Sequence, residues 1–326
     1  MVTPAPPRSR LGNRITACRW RTLLRQLGHS VQVAMSLPIP SRCDCLIALH
    51  ARKSHAAIVQ FKKQYPDRKL IVALTGTDLY HDIPRGNRKS LQSLALASQL
   101  ITLHPLAVRA VPRRWQSKVT PIFQSVQLPA YESTLPKPFV TWRNKLTAPV
   151  IVGVIGHLRA VKDPLRAALA VRKLPSDSQL QIVHLGTVHQ PIWTKRATRE
   201  MQQNPRYHWL GSLSHPATLA IMQQLDAICI TSKMEGGANV VMEAIAMGKP
   251  VLASRIEGTV GILGSAYPGY FPVGNTQALS RLLRRFETDQ TFRQSLNHHI
   301  RRLLPLTLPE RERQCLAHLL NSQDNC

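Results

Sequence analysis

Six apolar or small residues in a row, Val150-Ile151-Val152-Gly153-Val154-Ile155, run between Pro149 and Gly156. A strand with no polar face has to be covered on both sides, and a parallel sheet flanked by helices provides that cover. The same signature recurs along the chain. Short apolar, β-branched runs predict strands at 31–34, 45–49, 69–75, 99–103, 118–123, 149–156, 180–186, 226–232 and 250–254. Between them, apolar residues three and four apart predict helices at 16–27, 53–64, 88–98, 164–174, 191–203, 217–224 and 239–247, with a last one near 309–320. Gly28 stands where the first helix needs a C-terminal cap, and Pro66 follows the second. Strand–helix–strand repetition twice over predicts an α/β chain of two doubly wound domains.

A chain of 326 residues is long enough for two such domains, each with its own core. The segment 128–148, with Pro129, Pro136 and Pro138 and little periodicity, is the expected linker between residues 1–145 and 146–326. The final helix is expected to cross back onto the first domain. Met1-Val2-Thr3 runs at once into Pro4-Ala5-Pro6-Pro7, a loop that should follow a first buried strand. Strands of such sheets usually hold about five residues, so this one is expected to be cut short. No stretch approaches the ~20 apolar residues of a membrane span. No apolar run precedes a small-residue cleavage site, so no signal peptide is read. The six cysteines are scattered, and Cys43 and Cys45 lack a redox or zinc-ribbon spacing. A reduced, cytoplasmic protein is expected.

Charge narrows the partners. With 43 basic and 17 acidic side chains the formal charge is +26, which suits nucleic acid, an anionic membrane or a small anionic substrate. The bases come in ones and twos, as in Arg52-Lys53, Lys62-Lys63 and Arg113-Arg114. No long basic block, zinc-finger spacing or RNA-binding aromatic signature accompanies them, so nucleic acid is not the expected partner.

The densest chemical signal is Glu235-Gly236-Gly237-Ala238-Asn239, followed by Glu243 and by Gly248-Lys249-Pro250. A strand ends at an acid, two glycines permit a tight turn, and a helix starts near Asn239. The free N–H groups and positive dipole end of a helix start suit a diphosphate. Glu243, about one turn further in, is placed to accept both hydroxyls of a ribose, and Glu235 to reach hydroxyls of a transferred sugar. The competing account is a structural Gly-Gly turn, with Asn239 as cap and both glutamates solvated.

A second strand end reads Gly156-His157-Leu158-Arg159, with Lys162 just beyond. An arginine fork and a lysine can hold a departing diphosphate and offset its growing charge. Alone, the pair reads rather as two surface bases of a basic protein; the Glu235–Glu243 segment in the same domain favours the functional reading. In the first domain, Gly12-Asn13-Arg14, His50 with Arg52, and Thr77-Asp78 each follow an expected strand and can converge on one edge. Arg14, His50 and Arg52 are candidate anion holders, and Thr77 and Asp78 could orient a hydroxyl. Local caps and turns explain these residues as well. No Asp-x-Asp triplet, zinc spacing or Gly-x-x-x-x-Gly-Lys-Ser/Thr loop occurs, so no metal is expected and a nucleotide kinase is disfavoured.

Glu235 and Glu243 stand as in the Glu-x7-Glu signature of the retaining GT-B glycosyltransferases, and Arg159 with Lys162 matches the Arg and Lys of that family. The resemblance implies two facing Rossmann-like domains with an interdomain cleft, the acceptor on the N-terminal one and a nucleotide sugar on the C-terminal one. Arg159, Lys162 and Glu235 would be catalytic. Gly156, His157, Gly236, Gly237, Ala238, Asn239 and Glu243 would bind the donor, without a cofactor or essential metal. Gly12, Asn13, Arg14, His50, Arg52, Thr77 and Asp78 would face the acceptor.

A narrower likeness covers essentially the whole chain. Thr3–Pro7, Leu49–Arg52, Ala73–Tyr80, Gly156–Leu169, Glu235–Val241 and Tyr267–Gly274 resemble, in order, the selenosugar synthases of selenoneine biosynthesis. That resemblance implies a UDP-sugar donor, UDP-N-acetylglucosamine by expectation, and selenophosphate as acceptor, joined through a carbon–selenium bond. Two alternatives stay open. One is a GT-B enzyme acting on a lipid or other hydroxyl acceptor at the membrane surface, for which 16–27, with Arg19, Trp20, Arg21, Leu23, Leu24 and Arg25, is the candidate docking helix. The other is a basic nucleic-acid-binding protein.

Overall fold

The computed structural model describes residues 1–9, 11–35, 43–128, 134–147, 149–188 and 190–321. It divides into two compact units. The first gathers Met1–Ser125, Glu235–Asn239 and Leu308–Cys326, and the second Val126–Met234 and Val240–Thr307.

In the first unit four strands, β1 (Cys45–Leu49), β2 (Lys69–Ala73), β3 (Gln99–Thr102) and β4 (Val119–Pro121), pair in parallel in that order. Successive side chains of a strand point to opposite faces, and both faces here are apolar. Leu46, Ala48, Leu70, Val72 and Leu100 meet Ile58 and Phe61 of α2 (His55–Gln64), together with Leu94. Ile47, Leu49, Ile71, Ala73 and Ile101 instead meet Trp20, Leu23 and Leu24 of α1 (Gly12–Gln26), and also Leu316 and Leu319. Leu94 lies in α3 (Arg88–Leu96), whose cap Asn87 accepts from the Ser90 amide. Gly28 closes α1 at φ +87°, as its capping role requires.

The second unit builds a six-stranded parallel sheet. It comprises β5 (Val150–Ile155), β6 (Leu180–Leu185), β7 (Tyr207–Trp209), β8 (Ala227–Ile230), β9 (Val251–Ser254) and β10 (Tyr270–Phe271), ordered β10-β9-β8-β5-β6-β7. Its helices are α4 (Lys137–Arg143), α5 (Arg166–Val171), α6 (Pro191–Gln203), α7 (His215–Gln223), α8 (Asn239–Ala246), α9 (Glu257–Leu263), α10 (Thr276–Thr288) and α11 (Gln290–Leu303). The uninterrupted apolar run of β5 is buried through its middle and lies between β6 and β8. At Gly153 a Cβ would come within 2.2 Å of Leu225 Cδ1, which explains the missing side chain in an otherwise bulky strand.

The last helix, α12 (Pro309–Asn321), packs with the first unit. Its Glu312, 1% exposed, accepts from Arg19 Nε at 2.9 Å, Trp20 Nε1 at 2.6 Å and the Ser125 amide at 2.8 Å. At the far end, Lys69 Nζ donates to the carbonyls of Leu319 and Leu320, a favourable place for a cation.

The structure corrects three expectations. Residues 31–34 make no strand; Ala34 forms a single parallel bridge to Val2, which also bridges Ala48 of β1. The expected linker contains α4, because Pro138 occupies the first turn, where its missing N–H is no loss, and Phe139 and Trp142 behind it are buried. Residues 129–133 and 148 of that linker lie outside the described residues. Finally, α1 does not offer an apolar face for lipid: Trp20, Leu23 and Leu24 are 0%, 4% and 2% exposed, in the core. Among the described residues no helix is long and apolar enough to cross a membrane.

Candidate active site

In the second unit, β5 delivers Gly156 to the sheet's C-terminal edge. The Gly156 amide donates to Leu185 O at 2.8 Å, and its carbonyl accepts from His184 Nε2 at 3.0 Å. His184 Nδ1 meets the Tyr207 hydroxyl at 2.9 Å. Burial lowers the His184 pKa to about 4, so the ring is neutral and its Nε2 proton is committed to Gly156. His157 is half-buried, and the Leu158 amide donates to Thr187 O.

The segment that follows is pinned to the end of β8. Thr231 Oγ1 lies 2.8 Å from Lys162 O and 3.0 Å from Asp163 O, and the Lys233 amide donates to Val161 O. Residues 160–162 form one tight turn that ends at Asp163, whose φ is +44°. Lys162 Cδ passes 4.0 Å from where a Gly156 side chain would begin. Arg159 is half-buried, and its Nε is shut from solvent with no hydrogen-bond partner among the described residues. A donor so placed is costly unless something accepts from it, by about 1–3 kcal/mol.

In the same unit, Glu243 of α8 is 8% exposed and its Oε1 receives His215 Nε2 at 2.8 Å. That bond raises the His215 pKa above its ordinary value, against the opposing effect of burial. His215 is half-exposed at the first position of α7, behind the cap Ser214, whose side chain accepts from the Ala217 amide.

The Glu235–Asn239 turn, counted with the first unit, lies against its loops. A Cβ at Gly236 would fall 2.3 Å from Thr75 O, and one at Gly237 would fall 2.4 Å from Leu103 Cβ. Both glycines are therefore required by close approach. Ala238 is buried, Glu235 and Asn239 are half-buried, and Asn239 Nδ2 lies 3.7 Å from where a Gly12 Cβ would stand.

The first-unit candidates fall into two groups. Gly12, Asn13 and Arg14 form the first turn of α1, and Arg14 Nη1 is buried without a hydrogen-bond partner among the described residues. The others are tied to one another. Asp78, fully buried, accepts from the amides of Ala51, Thr75 and Gly76 at 2.9–3.0 Å, so its carboxylate is engaged by backbone. His50 is 2% exposed; its Nδ1 accepts from the Lys53 amide at 3.3 Å, and Nε2 meets Thr77 Oγ1 at 2.9 Å. Burial lowers its pKa, so the ring is a neutral positioner of Thr77 and supplies no cation. Arg52 gives its Nε to Asp82 at 2.6 Å, and its charge already faces a carboxylate. Among the described residues no group of three or more His, Cys, Asp or Glu is arranged to hold a metal ion.

His184, His215, Thr231 and Gln124, absent from the sequence reading, reach Gly156, Glu243, Lys162 and Gly237 through contacts made far along the chain. No local spacing marks them.

Comparison with known proteins fits this geometry. Residues 141–302 match the family "Glycosyl transferases group 1". Its two parallel-sheet units have the GT-B fold. The D-inositol 3-phosphate glycosyltransferase of Corynebacterium glutamicum (strain R) is 27% identical over 161 residues, 45% of this chain and 38% of that enzyme. The match thus spans well under half of that relative's length. A structure of Anabaena Alr3699/HepE in complex with UDP is 18% identical, covering 93% of this chain and 89% of that one, with a TM-score of 0.72. A glycosyltransferase from Rickettsia africae ESF-5 is 16% identical over 99% and 98% of the two chains, with a TM-score of 0.71.

Proposed function

We propose that the chain is a glycosyltransferase that takes a sugar from a UDP-sugar. The observation that carries this reading is Arg159 Nε, buried without an acceptor in a segment that β5 and Thr231 hold in place. A diphosphate oxygen supplies the missing acceptor. Lys162 adds a point charge beside it, so that charge building on the departing diphosphate is met by groups already in position. A helix start such as that of α8 suits a diphosphate by its dipole and amide donors. Glu243, steadied by His215, takes the ribose hydroxyls, and Glu235 the hydroxyls of the transferred sugar. Support comes also from Alr3699/HepE, a fold relative crystallised with UDP.

The acceptor we propose is selenophosphate, and the sugar N-acetylglucosamine. This rests on the full-length likeness to selenosugar synthases, above all in Gly156–Leu169. The reacting centre needs little beyond placement. Selenium is a soft, strong nucleophile; the anomeric carbon–oxygen bond breaks, UDP leaves with its electron pair, and a carbon–selenium bond forms. A small, multiply charged acceptor calls for fixed N–H donors. Arg14 Nη1, buried and without a partner, is the first-unit group best fitted to that task. With Arg52 engaged by Asp82 and His50 neutral, the proposal gives those two no charge-binding role.

Incubation with UDP-N-acetylglucosamine and selenophosphate, followed by mass spectrometry, tests both levels. A selenium-bearing N-acetylhexosamine together with UDP supports the whole reading. UDP release with a hydroxyl acceptor and none with selenophosphate would keep the transferase and remove the selenium chemistry. Absence of UDP binding in calorimetry would remove both.

A further inference from the structure

The glycine turn that this reading places against the sugar has no side chain of its own at Gly236 or Gly237 to fix it. The first unit supplies the fixing from outside. Gln124, 1% exposed, donates Nε2 to Gly237 O at 2.7 Å. Its Oε1 accepts from Arg19 Nη2 at 2.9 Å and from Thr16 Oγ1 at 2.7 Å. Those partners define the amide's orientation, because turning it over would set an NH2 against a guanidinium. Arg19 also sends Nη1 to Asn239 Oδ1 at 3.4 Å, at the other end of the same turn. Arg19 is aligned in turn by Glu312, whose carboxylate also takes Trp20 Nε1 and both the amide and hydroxyl of Ser125.

We infer that Gln124 is a positioning residue for the Glu235–Asn239 turn, held to that task by a Glu312–Arg19 relay from α12. The inference rests on the transferase reading above. Fold stability alone accounts for the Glu312–Arg19–Trp20 part of the network. It does not account for a buried amide whose N–H donates to the carbonyl of a two-glycine turn. Anchoring Gly237 O and Asn239 Oδ1 fixes the turn at two points, and with it the direction of Glu235 and of the amides that begin α8.

Gln124→Glu separates the two roles. It keeps length, volume and the oxygen facing Arg19 and Thr16, and opposes a second oxygen to Gly237 O. The melting temperature should hold or rise, since a carboxylate now faces Arg19. Turnover of UDP-N-acetylglucosamine should fall by about 10- to 100-fold, as misplacement of a reacting group by about 1 Å does. UDP affinity should fall by less than turnover does, because Arg159, Lys162 and Glu243 still hold the nucleotide in that reading. Glu312→Gln should also lower turnover, and the double variant should lose less than the product of the two, as members of one network do. If Gln124→Glu unfolds, Gln124→Met keeps the side-chain length and should lower turnover likewise, with some loss of melting temperature from the missing bonds to Arg19 and Thr16. Wild-type turnover in a folded Gln124 variant, or strictly multiplicative losses, would overturn the inference. Failure of the wild-type protein to bind UDP would overturn the transferase reading and, with it, this one.

Discussion

Gly236→Ala should disable the enzyme while leaving most of its structure intact. The added Cβ would stand 2.3 Å from Thr75 O, 2.4 Å from Thr75 C and 2.5 Å from Gly76 N, where ordinary contact begins at 3.4 Å. All three atoms are backbone, and Thr75 and Gly76 come just after β2, behind the buried Leu74, and donate to the buried Asp78 carboxylate, so the sheet side cannot yield cheaply. The turn itself must withdraw by about 1 Å. A displacement of that size at a reacting centre costs about 10²-fold in rate, or roughly 2.7 kcal/mol at 1.36 kcal/mol per decade. The assay is kcat/KM for UDP-sugar turnover, with melting temperature and circular dichroism measured in parallel. Gly248→Ala is the control. At φ +66° with nothing within 4 Å of a new Cβ, it should cost about 1–2 kcal/mol of stability through backbone strain and leave turnover unchanged. If Gly236→Ala kept kcat/KM within about threefold of wild type, the turn would not be part of the reacting geometry.

Other outcomes follow from the same contacts. Glu312→Ala should destabilise the first unit by about 3–5 kcal/mol, since it strands Arg19 among buried donors; urea unfolding followed by tryptophan fluorescence reads it, and a loss under about 1 kcal/mol would contradict the burial argument. Glu243→Ala should weaken UDP binding about tenfold or more in calorimetry, whereas Arg159→Ala and Lys162→Ala should lower kcat by more than they weaken UDP affinity. His215 is raised in pKa when folded, so its contribution is complete below about pH 6.5 and fades as pH climbs through the raised value. Melting temperature should therefore decline over that interval, and His215→Gln should flatten the decline; a slope unchanged by the substitution would assign it to other groups.

Much of this architecture is legible in the sequence, for identifiable reasons. Runs such as Val150–Ile155 and Leu180–Leu185 are buried on both faces and announce themselves by composition. Tyr207–Trp209 and Tyr270–Phe271 are sheet-edge strands of three and two residues, too short for any period to register. In α9, Gly258 and Gly261 obscure a helix that Thr259 secures by bonding back to Ser254 O and Ile256 O. Pro136 and Pro138 read as linker signals, although proline is also at home where a helix begins. Among the candidate residues, Glu243 and Arg159 are found by motif spacing. Their supports are not: His215 is 28 positions from Glu243, and Thr231, which holds the segment after Arg159, is 69 from Lys162. Only the folded chain pairs those distances. The sequence also leaves Asp78 and His50 ambiguous between substrate contact and turn-making, and three backbone amides engage the Asp78 carboxylate in the turn.

The docking of α12 has a consequence for how the protein is made. Trp20 and Arg19 leave the ribosome early, but the carboxylate that satisfies them arrives some three hundred residues later, after the whole second sheet. Domains emerging from the exit tunnel ordinarily settle in order of synthesis. Here the nascent first sheet must wait, with the α1 groove that receives Leu316 and Leu319 still open to water. Translation pausing or chaperone cover during that wait should govern the yield of active protein more strongly than the stability of the finished fold does.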